Sequence, residues 1–163
     1  MKATLPPPSA KDIETLVGFR IGDTQCAVPI ALVREILKEG HLTELPTSDA
    51  SILGVSDVRG EVLLVLDPLK LLGLTRHQDP GKRKRWLVLR VDGRTVAWVV
   101  DGVTDVFSAS RGESHEQSAV PIFNEWLSWV ARREKELVFV LEMRSISRMV
   151  QRARTSLPPG GDF

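Results

Sequence analysis

The stretch ILGVSDVRGEVLLVLDP, residues 52–68, decides how this chain is read. Two apolar runs stand almost back to back, and the polar phrase SDVRG separates them. Alternating and continuous apolar runs of this length are strands, so the phrase between them is a hairpin turn. A tight hairpin turn normally carries Asn-Gly or Asp-Gly at its tip. Here Arg59-Gly60 occupies that place, and a long, permanently charged side chain needs a reason to be there.

Outward from this hairpin the same pattern repeats. LVGFRI (16–21) and TQCAVPI (24–30) flank Gly22-Asp23, and RWLVLRV (85–91) and RTVAWVVD (94–101) flank Asp92-Gly93. Both pairs read as strands joined by two-residue turns. ELVFVLE (136–142) is another strand. IALVREIL (30–37) places Ile30, Val33, Ile36 and Leu37 at helical spacing, which predicts a short helix ended by Gly40. Leu42 to Leu45 is a brief extended piece stopped by Pro46, PLKLLG (68–73) a turn of helix, and Met143 to Gln151 a final helix. Residues 107–119 are polar and expected to be irregular. Short strands with tight turns and few helices predict a mainly β fold of small barrels rather than a parallel α/β sheet.

The 163 residues fit one domain or two small halves sharing a core. Hydrophobic residues make up 42% and charged residues 26%, the profile of a soluble globular protein, and the net charge of +1 gives no reason to expect nucleic acid or an anionic membrane as the main partner. The first residues, MKATLPPPSA, lack the apolar core of a secretory signal, and no apolar run approaches the ~20 residues of a membrane-spanning helix, so a cytoplasmic protein is expected. The single cysteine, Cys26, excludes an intrachain disulfide. Residues 1–14 and 153–163, rich in Pro and Gly, are expected to be tails, with a helical turn near Lys11 to Leu16 at most.

No phrase points to catalysis or to a cofactor. His41, His77 and His115 lie in separate loops without metal-ligand spacing. Cys26 sits inside an expected strand, where a buried inert thiol is the default. Ser56 lacks the G-x-S-x-G elbow, and no Gly-rich phosphate loop occurs. KRKRW (82–86) combines cations with an aromatic ring, which would suit single-stranded nucleic acid, but a charged loop is more often a solvated face. Trp126 and Trp129, with Phe123 and Leu127, form the most aromatic segment. Their (i, i+3) spacing suggests core packing, while an exposed member would make an interface anchor. Trp98, alternating with Val96 and Val100, raises the same question.

In order and spacing, the ensemble from about Leu16 to Val150 resembles the CheW-like domain, the family of chemotaxis coupling proteins and of the regulatory domain of their histidine kinase. GVSDVRGEVLLVLDP (54–68) and VVDGVTDV (99–106) carry most of the likeness, supported by the first hairpin, VREIL, Leu45-Pro46 and LVFVLE. The chain departs from the family pattern at Asp57 (usually Asn), Leu64 (usually Pro), and Ala97 and Trp129 (often Gly). The resemblance implies two intertwined five-stranded SH3-like β-barrel subdomains within residues 15–152. It also implies a non-catalytic scaffold without a cofactor, in the cytoplasm beside membrane-associated receptor arrays, binding a chemoreceptor tip and a CheA-type histidine kinase.

By the same resemblance Glu35 and Arg59 face each other, and Val33, Glu35, Gly54 and Arg59 are the candidate receptor-binding residues, at the rim of a groove between the barrels that takes the receptor's helical hairpin. Ala97, Trp98 and Trp129 are the candidate kinase-binding residues. Without the resemblance, Glu35–Arg59 is an ordinary surface pair worth ~0–1 kcal/mol, and VVDGVTDV is a structural turn. Two alternatives remain: a specialised CheW-like interaction module in a non-motility pathway, docking through the altered Ala97 and Trp129 surface, and a nucleic-acid-binding barrel using KRKRW.

Overall fold

The computed structural model describes residues 13–111 and 125–156. Ten strands run in the order β1 (Ile13–Ile21), β2 (Thr24–Pro29), β3 (Val33–Leu37), β4 (Ile52–Val58), β5 (Glu61–Leu66), β6 (Arg85–Val91), β7 (Arg94–Val100), β8 (Gly102–Ser110), β9 (Leu127–Arg133) and β10 (Glu136–Leu141). A helical turn, α1 (Pro68–Leu71), follows β5, and a terminal helix, α2 (Arg144–Ser156), closes the described chain.

The strands form two five-stranded sheets, ordered β8-β1-β2-β10-β9 and β3-β6-β7-β5-β4. The chain opens the first sheet with β1 and β2, builds the whole second sheet with β3 to β7, and returns to complete the first. Each sheet is mostly antiparallel, with one parallel pair where the chain re-enters: β10 beside β2 and β5 beside β7. This nesting, with few short helices, is the expected mainly β architecture.

Each sheet curls until its two edges are bridged, by side chains in the first and largely by backbone in the second. In the first, Arg133 of β9 pairs with Asp105 of β8 and lies 4.5 Å from the centre of the Phe107 ring, while Arg111, just past β8, donates to Ser128 Oγ at 2.8 Å. In the second, Thr43 and Val55 exchange two backbone hydrogen bonds of 2.8 Å, and Ser56 Oγ donates to the His41 carbonyl at 2.6 Å. Exposed strand edges template unwanted pairing, and closure removes them.

Two-sided burial explains the continuous apolar runs. One face of the first sheet encloses Leu16, Ala27, Trp129, Ala131, Val138 and Val140, and one face of the second encloses Leu63, Val65, Trp86, Val88, Ala97 and Val99. The other faces meet in the largest core, where Phe19, Ile21 and Val28 pack with Leu64, Leu87, Leu89 and Trp98. Ile146 and Val150 of α2 cap it. Trp98 and Trp126 meet at its centre, ring centroids 5.8 Å apart.

Several local expectations change. IALVREIL is not a helix: Ile30–Leu32 make a single 3₁₀ turn, and Val33–Leu37 form β3, an edge strand paired with β6. Val33, Glu35 and Leu37 are half-buried and Arg34 and Ile36 exposed, a period of two that a helical reading overlooks. Of the helical turn expected near Lys11 to Leu16, Lys11 and Asp12 lie outside the described residues, and from Ile13 the chain is strand, paired with β8 as far as Ser110. Residues 107–110, expected to be irregular, are therefore strand. α2 continues past Gln151 to Ser156. Phe123 and His115 lie outside the described residues.

Candidate functional site

The turn quoted at the outset is a two-residue hairpin between β4 and β5. Both central residues have positive φ, 53° at Arg59 and 83° at Gly60, as a type I′ turn requires. Asp57 Oδ1 accepts from the Gly60 N–H at 2.8 Å, so a carboxylate does there what an asparagine side-chain oxygen would do. Glycine is at ease in this backbone region. An arginine with positive φ is uncommon and costs roughly 1–2 kcal/mol.

Arg59 holds that conformation with its side chain 74% exposed, and its Nη1 donates to Glu35 Oε2 at 2.8 Å. Glu35, 20% exposed, is the anchored partner. β3 places it across the closed edge of the sheet, directly opposite the hairpin tip. Beside this pair, Arg34 Nη1 donates to Glu61 Oε2 at 2.5 Å, which keeps the Glu61 carboxyl below its ordinary pKa. Val33 is half-buried at the start of β3.

Gly54 serves the fold itself. Its φ is 150°, and a Cβ there would stand 2.2 Å from the Thr43 carbonyl oxygen. The absent side chain thus lets residue 43 cross close enough to make its two hydrogen bonds with Val55.

Ala97, Trp98 and Trp129 are buried, the first two completely. Ala97 packs inside the second sheet, Trp98 between the sheets, and Trp129 inside the first, beneath the Arg111 guanidinium. The structure answers the sequence question for the tryptophans in favour of packing: Trp98, Trp126 and Trp129 present little or no ring to a partner.

A cleft of about 540 Å³ does open between the two sheets. Its walls come from the β1–β2 hairpin, β3, the loop before β6, and the junction of β7 with β8, and Val33, Gly54 and Arg59 do not line it. Ile36, on the opposite side of β3 from Glu35, does. Asp101, at the β7–β8 junction, is buried; its backbone N–H donates to the Arg20 carbonyl at 2.8 Å and both carboxylate oxygens accept from Arg76 at 2.6 Å. Sequence reading gave Asp101-Gly102 as a turn but had no signal for its partner Arg76, which lies 25 residues away in a polar loop.

The remaining polar candidates have structural employment or none. Ser56 is spent on the His41 carbonyl, His77 lies against the Asp23 carboxylate, and Cys26 is buried with its thiol pKa raised by desolvation. Among the described residues no three His, Cys, Asp or Glu side chains gather as a metal site, and no helix is long and apolar enough to cross a membrane.

Comparison with known proteins agrees with this architecture. A probable chemotaxis protein CheW of Rhizobium etli is 38% identical over 95 residues, 58% of this chain and 61% of that protein. The chemotaxis protein CheW of Helicobacter pylori is 25% identical over 137 residues, 83% and 82% of the two chains. The chain thus spans less than two thirds of the Rhizobium relative's length. The scaffolding protein TtCheW from Thermoanaerobacter tengcongensis superposes with a TM-score of 0.73 at 19% identity, covering 88% of this chain and 90% of that one, which speaks to the fold. The profile of the CheW-like domain matches residues 15–151. On the span of that match, the chain belongs to the CheW-like domain family.

Proposed function

We propose that this chain is a non-catalytic adaptor of a bacterial chemosensory system, coupling the cytoplasmic tip of a chemoreceptor to the regulatory domain of a CheA-type histidine kinase. The observation that carries the reading is the Glu35–Arg59 pair. The turn needs positive φ at this position but not an arginine: asparagine, aspartate or glycine would hold it with less strain, and here an exposed guanidinium oriented by a more buried carboxylate stands instead. It has a use if a partner docks there. The anchored guanidinium keeps further N–H donors for the partner and loses little side-chain freedom on binding.

On this reading Val33, Glu35 and Arg59 form the receptor-facing surface, and Gly54 supports it by letting the residue 43 crossing lie flat against β4. A receptor helix would set apolar side chains against Val33 and hydrogen-bond to Arg59. For the kinase, Ala97, Trp98 and Trp129 would act from beneath the surface, by setting the shape of the strands over them. Recruitment to membrane-bound arrays follows from receptor binding, without any membrane contact of the chain's own.

Reconstitution with receptor fragments and kinase tests the proposal. Arg59→Ala should reduce receptor capture about tenfold or more, the loss expected when a charged anchor of the interface is removed, and Glu35→Ala should weaken capture in the same direction by releasing the guanidinium it orients. Kinase activity should lose its dependence on receptor in parallel. Parent-like capture by both variants would overturn the receptor site, and kinase activity indifferent to the parent protein would overturn the adaptor reading.

A further inference from the structure

The two sheets close by different means. In the first, the ladder of hydrogen-bonded strands starts at β8, passes through β1, β2 and β10, and stops at β9. β8 and β9 therefore face each other across a seam bridged by side chains. The second sheet is sealed by backbone, through the two hydrogen bonds between Thr43 and Val55.

Two arginines span the seam, one from each side. Arg133 of β9 reaches the Asp105 carboxylate and lies over the Phe107 ring, both on β8. At the other end Arg111, just past β8, reaches back to Ser128 Oγ and lies 5.8 Å from the centre of the Trp129 ring, both on β9. Its Nε is 3.6 Å from Glu14 Oε1 of β1. Both guanidinium groups are half-exposed, so water and salt compete for each of these contacts.

What lies beneath the arginines also favours opening. A cavity of about 260 Å³ runs under the Arg133 end, lined by Asp105, Phe107, Arg133, Glu136 and Val138. At the Arg111 end Glu14 Oε2, Ser110 Oγ and Trp129 Nε1 are buried without a hydrogen-bond partner among the described residues. Each is a desolvated polar group with no compensating bond, and contact with water relieves that cost. The shared core has no such weakness along one line, because both sheets hold it.

We propose that the first barrel carries a latch: the β8–β9 seam opens to water as a local unit, with Arg133 and Arg111 as its two bolts, while the shared core and the second barrel stay closed. Opening of a weakly bonded part below the free energy of global unfolding is the ordinary behaviour of folded chains. Its effect is to uncover the lining of the first barrel, Leu16, Trp129, Ala131 and Val138, on demand.

The molecule carries two reporters of its own. Trp129 Nε1 inside the first barrel and Trp98 Nε1 in the shared core are both buried indole N–H groups without acceptors among the described residues. Neither is held by such a bond, so exchange with deuterium, followed by NMR on the full chain, reads the access of water. Trp129 should exchange at least about tenfold faster than Trp98. Arg133→Gln should speed Trp129 roughly tenfold further, the combined effect of losing an ion pair and a cation–π contact at the opposite end of the seam, and leave Trp98 within about twofold. Added salt should act in the same direction. Arg132→Gln, exposed on the same strand, should change neither rate. Equal exchange of the two indoles, or an Arg133→Gln effect equal on both, would mean that only global unfolding admits water and would overturn the proposal. Should Arg133→Gln fold poorly by near-UV circular dichroism, thiol labelling of the Ala131→Cys chain decides in its place. Position 131 faces the inside of the first barrel and Cys26 the shared core. Labelling at position 131 should be at least about tenfold faster than at Cys26, and equal rates would sink the latch.

Discussion

At the scale of single residues, exposure separates two ion pairs that look alike in sequence. Arg59–Glu35 is exposed on the arginine side, so Arg59→Ala should change folding stability by no more than ~1 kcal/mol, read from urea denaturation. Its cost belongs to binding. Asp101 is buried and makes two hydrogen bonds to Arg76, whose own pKa is raised by them. Asp101→Ala strands a half-buried guanidinium and should cost about 2–4 kcal/mol, while Arg76→Lys, which lacks the fork, should fall between the two. Cys26 gives a third measurement. Its thiol is buried and its pKa raised, so labelling by a thiol reagent at neutral pH should be undetectable in the native protein and quantitative after unfolding. Rapid native labelling would contradict the packing around it. The inert cysteine was legible in its strand context; the Asp101–Arg76 pair was not, because its members meet only when a loop folds back on a strand junction.

Elements were legible where local chemistry was strong. The Arg59-Gly60 and Asp92-Gly93 turns take positive φ at both positions, as Asp92, Gly60 and Gly93 suggested and Arg59 did not, and the strands on either side begin and end where the apolar runs do. VREIL was misread because Ile30, Val33, Ile36 and Leu37 fit a helical stripe, while Val33, Glu35 and Leu37 fit an alternating strand almost equally well. The open edge of β6 resolves the choice by pairing. Gly54 illustrates the same limit. Its reason is the Thr43 carbonyl, which no local pattern reveals. Gly54→Ala should break the residue 43 crossing and destabilise the protein by roughly 3 kcal/mol, combining overpacking with backbone strain. An unchanged denaturation midpoint for that variant would refute this account of the closed sheet edge.

For the molecule as a whole, the decisive feature is the large core shared by both sheets. Trp98 lies fully buried within it against Trp126, so Trp98→Ala should cost about 3–5 kcal/mol and lower both halves in a single transition. Two separate transitions would mean the halves are independent. Acid should act through the ion pairs. The carboxyls of Glu61, Asp105 and Glu142 are held below their ordinary values of 3.8 to 4.5 by hydrogen bonds from Arg34, Arg133 and Arg144. A depressed folded pKa contributes stability above the unfolded value and loses it as pH falls through the folded one. The thermal midpoint should therefore change little from about pH 8 to about pH 5 through these groups and decline below about pH 4. The sequence by itself determined the strands of the tight hairpins and of ELVFVLE, the turns and the family pattern, because hydrophobic period and turn chemistry act over neighbouring residues. Only the tertiary structure decided that β3 is a strand, that Trp98 and Trp129 face inward, and that Arg111 and Arg133 bridge one seam from opposite sides. Those outcomes depend on which distant surfaces meet, and that is set by packing two curled sheets against each other rather than by any local preference.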